Sequence, residues 1–195
     1  MPQDRLMAGV ADVYIAPEGT AHTASLISGT PASPWNLLAG GWHNEDGIQI
    51  RSAKTFNLQR VQNEVEPVDA FLSEALLTFS LTVRDLQAEA VAYAIHGDTS
   101  GIVTVAAASG VIGTKKVNLT PDTSAVHKIA VLIRGDVAYE DGEHSNFYTP
   151  RAFVSSDFDT TLMLADASGV PIEFTALKHS TIRHFYIAQN AAATA

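Results

Sequence analysis

The residues best suited to chemistry are the acidic and histidine side chains of the segment 136–146, DVAYEDGEHSN: Asp136, Glu140, Asp141, Glu143 and His144. Carboxylates and imidazoles are ligands for divalent cations. The segment lacks the Asp-x-Asp-x-Asp-Gly order of a calcium loop, so an acidic hairpin turn is the favoured interpretation and a cation site the alternative. His43, Glu45 and Asp46 of the stretch WHNED have the same two interpretations.

The sequence lacks the usual motifs of catalysis. It has no Gly-x-Ser-x-Gly elbow, no phosphate-binding glycine loop and no His-Glu-x-x-His. It also has no cysteine, which excludes a thiol nucleophile and a cysteine-ligated zinc site. We therefore predict a protein that is not an enzyme, with no catalytic residues, no metal ligands and no cofactor.

The charge balance also limits the function. Twelve Lys and Arg residues against 21 Asp and Glu give a net charge of −9, the wrong sign for a protein that grips phosphates. Charged residues make up only 17% of the chain, and a surface so poor in charge is expected to meet other protein. No segment has the length of a membrane helix or the apolar core of a signal peptide, so a cytoplasmic site of folding is expected.

Two neighbouring stretches predict unusually long strands. In GIQIRSAKTFNLQRVQ (47–62), Ile48, Ile50, Phe56 and Leu58 share one parity, and polar residues occupy the other. In EALLTFSLTVRDL (74–86) the apolar parity is Leu77, Phe79, Leu81 and Val83. Alternation with period two indicates strands with one buried and one wet face. Together they predict a long hairpin over 47–84.

The rest of the chain is predicted to be mainly β. Strands are expected at 11–17, 102–107, 115–119, 125–134, 147–155, 159–164, 171–176 and 181–188. The one predicted helix spans 85–97, with Asp85 as its N-cap and Gly97 as its C-terminal cap. A Ser-, Thr- and Pro-rich loop covers 20–41, and the tail 190–195 is expected to be loose. The predicted fold is a single domain over 1–195, with two packed antiparallel sheets in a sandwich or half-barrel, one flanking helix and the extended hairpin.

The ordered motifs of residues 11–97 resemble those of the major tail tube proteins of long-tailed, siphovirus-type bacteriophages. The strand ADVYIAPEGT (11–20) ends at a proline and precedes a variable loop. PWNLLAGGWHNEDGIQI (34–50) then carries the Trp-x-x-Leu and the Glu-Asp-Gly-apolar strand start of that family. The hairpin and the helix ending in AIHG follow in the same order.

The resemblance implies a structural virion protein that assembles, in the host bacterial cytoplasm, into stacked hexameric rings forming the tail tube. Viral DNA would pass through the lumen without specific binding during ejection. Other partners implied are a tape-measure protein and tail-tip and terminator proteins. A barrel of roughly 24 strands spaced ~4.8 Å apart and tilted ~40° would be about 48 Å across, wider than a DNA duplex.

Two sets of site residues follow from the resemblance. The polar face of the hairpin would line the lumen through Gln49, Arg51, Thr55, Asn57, Gln59, Thr78, Ser80 and Thr82. Its apolar face would pack on the second sheet and helix of the same subunit. Contacts between subunits or rings would use Trp35, Arg60, Glu64, Glu66, Asp69 and Phe71.

Two other functions stay open from the residues alone. The first is a β-sandwich module on the virion surface that binds a receptor, for which a discrete monomer or trimer is expected. The second is a hydrolase, which no motif in the sequence supports.

Overall fold

A computed structural model of the protein describes residues 7–23, 31–40, 47–60, 66–67, 69–84, 87–109, 112–120, 126–137, 144–159, 169–181 and 186–188. Strands in chain order are β1 (Met7–Pro17), β2 (Asn36–Gly40), β3 (Gln49–Gln59), β4 (Asp69–Val83), β5 (Ile102–Val105), β6 (Thr114–Val117), β7 (Ile129–Val137), β8 (His144–Val154), β9 (Val170–Ala176) and β10 (Tyr186–Ala188). The helix α1 (Ala88–His96) lies between β4 and β5.

The strands form two antiparallel sheets. The large sheet has the order β2-β1-β7-β8-β9-β4-β3, and the short β10 also pairs with β8. Strand β9 pairs with residues 152–154 of β8, and β10 with residues 146–148. Strands β5 and β6 form a separate two-stranded sheet. The prediction of a mainly β fold with two antiparallel sheets and one helix is confirmed.

One face of the large sheet builds the main core together with the helix. Alternate residues of each central strand point into it, including Val13, Ile133 and Phe174, all nearly inaccessible to water. Ala90 and Ala94 bring α1 close to the sheet because their side chains are small. Helix α1 therefore covers the same face that the apolar parity of β4 points to.

Only the C-terminal end of α1 agrees with the prediction. Gly97 follows the last turn with φ 74°, and its N–H donates to the carbonyl of Tyr93, the left-handed cap that glycine favours. At the other end the helix begins after Gln87, which makes no side-chain cap hydrogen bond. The prediction of Asp85 as N-cap is therefore wrong, and Asp85 itself lies outside the described residues.

The opposite face of the sheet carries a second apolar cluster. Trp35 meets the ring of Tyr148 edge-to-face, with centroids 6.2 Å apart, and Leu132 is buried beside them. The Tyr148 hydroxyl donates to the carbonyl of Thr20. This cluster fastens part of the predicted 20–41 loop to the sheet.

Several strand boundaries differ from the predicted ones. The loop assigned to 20–41 contains the strand β2, and β1 starts at Met7, before the predicted residue 11. The second strand of the hairpin begins at Asp69, not at residue 74. The strand predicted at 159–164, apart from residue 159, and the tail 190–195 lie outside the described residues.

Candidate functional site: the extended hairpin and its two faces

The β3–β4 hairpin projects beyond the body of the subunit. Strand β3 pairs with β4 along its whole length, from Gln49 opposite Ser80 to Gln59 opposite Asp69. Strand β9, however, pairs with β4 only over residues 78–83. Residues 69–76 of β4 are consequently all exposed, whereas Phe79, Leu81 and Val83 are buried. We call the part of the hairpin that lies beside β9 the rooted half, and the part that extends past β9 the free half.

The apolar face of the free half is uncovered. Phe56 lies opposite Leu72 across the two strands, and their side chains are 53% and 54% exposed. Leu58, next on the same face, is 54% exposed. The expectation that the subunit's second sheet and helix cover this face is wrong for the free half, because the hairpin extends past β9. The rooted half packs with helix α1 and with strands of its own sheet in one core.

A β-bulge decides which residues share that face. Thr55 lies opposite Glu74 and Phe56 opposite Leu72, so Ser73 is an extra residue of β4. Beyond the bulge the parity of β4 is reversed, since one inserted residue shifts the alternation by one. Leu72 therefore joins the apolar face, and Phe71 lies opposite Asn57 on the polar one.

The eight residues predicted to line a lumen share one face of the hairpin. The register pairs Gln49 with Ser80 and Arg51 with Thr78, and directly opposite residues point to the same side. The β3 members are exposed, and the β4 members are half-buried: Gln49, Arg51, Thr55, Asn57 and Gln59, then Thr78, Ser80 and Thr82.

The same polar face continues onto β9, which was not predicted. Glu173 lies opposite Ser80, and Thr175 opposite Thr78. A shallow cavity of about 250 Å³ opens between Gln49, Ser80 and Glu173. The signal was present in the sequence, because Val170, Ile172 and Phe174 alternate with these residues and are fully buried. Glu173 also accepts a hydrogen bond from the Ser155 hydroxyl, 3.1 Å away.

The residues predicted for contacts between subunits are in different environments. Arg60, Glu66, Asp69 and Phe71 are exposed near the hairpin end, and Phe71 is 56% exposed. Trp35, in contrast, is buried against Tyr148, so its ring stabilises its own subunit. Glu64 lies outside the described residues.

The candidate cation site at 136–146 is described only at its ends. Residues 138–143, which include Glu140, Asp141 and Glu143, lie outside the described part, as do residues 42–46. Asp136 and His144 are opposite each other on β7 and β8. Among the described residues, no group of three or more His, Cys, Asp or Glu side chains could hold a metal ion.

Both ends of the large sheet present open strand edges. Among the described residues, β3 pairs only with β4, and β2 pairs only with β1. The outer edge of β3 is 11 residues long, and its backbone donors and acceptors on that side have no partner strand there. An edge of that length is a template for another strand.

An uncovered apolar face and open strand edges are features of a β protein whose surface is completed by another chain. No described helix has the length and apolarity needed to cross a membrane. The family model of phage tail tube proteins matches residues 2–195, essentially the whole sequence, and the chain belongs to that family. It is therefore a structural component of the phage tail. No curated protein matches the sequence.

Proposed function

We propose that the chain assembles into stacked hexameric rings, forming the tail tube of a long-tailed phage through which DNA is ejected. In this proposal the polar face of the hairpin lines the lumen, and the subunit has no catalytic role and needs no cofactor. Assembly takes place in the host cytoplasm, around a tape-measure protein and between tail-tip and terminator proteins.

The observation that carries the proposal is the uncovered apolar face at Phe56, Leu58 and Leu72. Burying apolar surface contributes roughly 25 cal/mol per Å², so three large side chains each half-exposed favour association by several kcal/mol. The opposite face of the same hairpin is mostly polar. Such a hairpin fits a wall with protein on one side and water on the other.

The open edges support a sheet that continues from one subunit into the next. Strand β3 ends the sheet on one side, so a strand of a neighbouring copy could pair with its open edge without unpairing any strand inside the subunit. Strands β3, β4, β9 and β8 are consecutive neighbours. That is the number of strands each subunit would contribute to a shared inner barrel.

The charges of the polar face suit a conduit for DNA. On β3, β4 and β9 this face carries three carboxylates, Asp69, Glu74 and Glu173, against the one guanidinium of Arg51. Three negative charges and one positive leave two negative charges per subunit on these strands. A neutral-to-acidic wall does not collect phosphates, so DNA can move along it without sticking.

The hairpin end is the proposed contact between rings. Arg60, Glu66 and Asp69 are exposed there and form no ion pair with the described residues. We extend this assignment to Glu64, which the sequence places in the same turn. Exposed charges of both signs at a projecting end can set the register between stacked rings.

Electron microscopy and sedimentation of concentrated protein test the proposal. We expect rings or tubes from the wild-type chain, with a tail-tip initiator added where needed. The Phe56→Ser, Leu72→Ser double variant should remain a monomer with wild-type thermal stability, because both side chains are exposed in the isolated chain. Asn57→Ser, a polar-face change on the same strand, should assemble normally.

Two outcomes would overturn the proposal. The first is a wild-type chain that stays monomeric at high concentration even with the initiator, which would favour a surface or receptor-binding module. The second is normal assembly of the double variant. A charge variant, Arg60→Glu, separates stacking from ring formation, because it should give single rings that do not stack.

A further inference from the structure

We propose that the outer face of the two-stranded β5–β6 sheet is a docking surface for the hairpin of a second copy of this chain. This inference rests on the proposed tube assembly and adds the surface that receives the hairpin. The docking surface consists of Val103, Val105 and Lys116. The hairpin face that binds to it consists of Phe56, Leu58 and Leu72.

The β5–β6 sheet contacts helix α1 of its own subunit through one of its two faces and at the end of β6. Lys115 forms an ion pair with Glu89 on α1, and the ammonium group holds the pKa of that carboxyl below its ordinary value. His96 at the end of α1 lies 2.6 Å from the carbonyl oxygen of Asn118, just after β6. Ile102 and Val117, opposite each other, are half-buried.

The other face of the small sheet is uncovered and carries two exposed valines. Val103 lies opposite Lys116, and Val105 opposite Thr114, so these four side chains point away from the face that carries Lys115. Val103 is 59% exposed and Val105 46% exposed. Ile112, in the connection between the two strands, is 88% exposed. A two-stranded sheet is only marginally stable alone, and a partner on this face would stabilise it.

A second copy is the occupant because a ring needs two different complementary surfaces on each subunit. The free half of the hairpin exposes Phe56, Leu58 and Leu72, and the outer face of the β5–β6 sheet exposes Val103 and Val105. Both belong to the same side of the large sheet. The apolar parity of β4 and the helix α1, on which the small sheet rests, share one core.

The charges at the two surfaces also match. Lys116 is exposed beside Val103 and makes no ion pair with the described residues. Glu66 at the hairpin end is likewise exposed and without an ion pair in the described part. Docking the apolar face of the hairpin onto Val103 and Val105 would bring a lysine near a carboxylate-bearing end.

Disulfide trapping tests the contact directly, since the natural chain contains no cysteine. Val103→Cys or Val105→Cys is combined with Phe56→Cys, Leu58→Cys or Leu72→Cys, giving six double variants. A disulfide requires Cα atoms within about 7 Å. We expect at least one variant to give a ladder of cross-linked subunits on a non-reducing gel after mild oxidation of assembled tubes. Each single variant should give none, and neither should Leu72→Cys paired with Lys178→Cys.

A charge exchange is the second measurement. Lys116→Glu should raise the concentration needed for assembly roughly tenfold, because it places like charges at the contact. Adding Glu66→Lys should restore assembly. Lys178→Glu, an exposed change of the same charge, should have no effect. Far-ultraviolet circular dichroism of each monomer checks that the fold is kept.

The outcomes separate this inference from the proposed function. If the wild type forms tubes but none of the six pairs cross-links and Lys116→Glu assembles normally, the docking surface is wrong and the tube proposal stands. If the wild type forms no tube under any condition, the tube proposal itself fails. A ladder with rescue by the exchanged charges supports both.

Discussion

The hydroxyl of Ser73 donates a hydrogen bond to the backbone carbonyl of Thr55, 2.9 Å away on the opposite strand of the hairpin. Ser73 is the extra residue of the β-bulge, so this bond gives a partner to a carbonyl at the point where the ladder is interrupted. The bulge is what keeps Leu72 opposite Phe56. Without it, a regular ladder would place Ser73 opposite Phe56 and turn Leu72 to the polar face.

Deleting Ser73 should therefore be tolerated. The shortened β4 keeps Glu74 opposite Thr55 and Leu72 opposite Phe56 without a bulge, so both faces retain their residues. We expect a loss of about 1 kcal/mol or less in the free energy of unfolding, from one exposed hydrogen bond. The assembled fraction, measured by sedimentation, should stay within about twofold of wild type.

Deleting Thr55 is the matched control on the partner strand. It moves Phe56 and Leu58 to the polar parity, which exchanges the two faces of the free half. The monomer should still melt as wild type does, because the hairpin is free there, but assembly should be lost. Equal behaviour of the two deletions would contradict the role assigned to the bulge.

The charge of the polar face gives a second prediction. Changing both Glu74 and Glu173 to Lys turns a net charge of −2 on β3, β4 and β9 into +2 per subunit. Tubes should still form, since both side chains lie away from the apolar face. They should bind short duplex DNA in 50 mM salt in a gel-shift assay and release it by about 200 mM, as phosphate contacts are screened. Lys128→Glu with Lys178→Glu should bind none. Variant tubes that bind no DNA would contradict the proposal that the polar face lines the lumen.

The sequence predicted the hairpin well because alternation with period two is a local property. The parity of Ile50, Phe56 and Leu58 is read from β3 alone, and so is that of Phe79 and Leu81 on β4. The bulge could not be predicted in this way, since it depends on which carbonyl of the partner strand Ser73 reaches. Phe71 and Leu72 were therefore not assigned to faces.

Long-range pairing also explains the other differences. Strand β2 was predicted as loop because the composition of 20–41 is typical of turns, yet pairing with β1 makes Asn36–Gly40 a strand. Trp35 was predicted to contact another subunit. Its burial depends on Tyr148, far along the chain, which no local pattern can indicate. Tertiary context decided both cases.

The approach of Gly101 to His96 gives a third prediction. A Cβ added at Gly101 would lie 2.4 Å from Cδ2 and Nε2 of the buried His96 ring, so the ring would have to move. That movement would also break its contact with the Asn118 carbonyl. Gly101→Ala should therefore cost about 1–3 kcal/mol in the free energy of unfolding by chemical denaturation. Ser109→Ala, at an exposed turn, should cost almost nothing. A stability unchanged by Gly101→Ala would mean that the β5–β6 sheet is not held through His96.

The last prediction concerns pH and the segment after β1. Nε2 of His22 lies 3.2 Å from Nδ2 of Asn146, and the ring of His22 is tilted against that of Tyr148. Burial lowers the pKa of His22 from its ordinary value of 6.5. The unfolded chain therefore takes up a proton at His22 more readily than the folded one. Stability contributed by neutral His22 is present above pH 6.5 and is lost as the pH falls through the lowered pKa.

His22→Gln tests this because it keeps a polar side chain that does not titrate. Between pH 7.5 and 5.0, the wild type should lose more thermal stability than His22→Gln, and the difference should grow below pH 6.5. Comparing the two curves cancels the contribution of the other six histidines. Parallel curves for wild type and His22→Gln would show that the ring of His22 is as free to take up a proton in the folded chain as in the unfolded one.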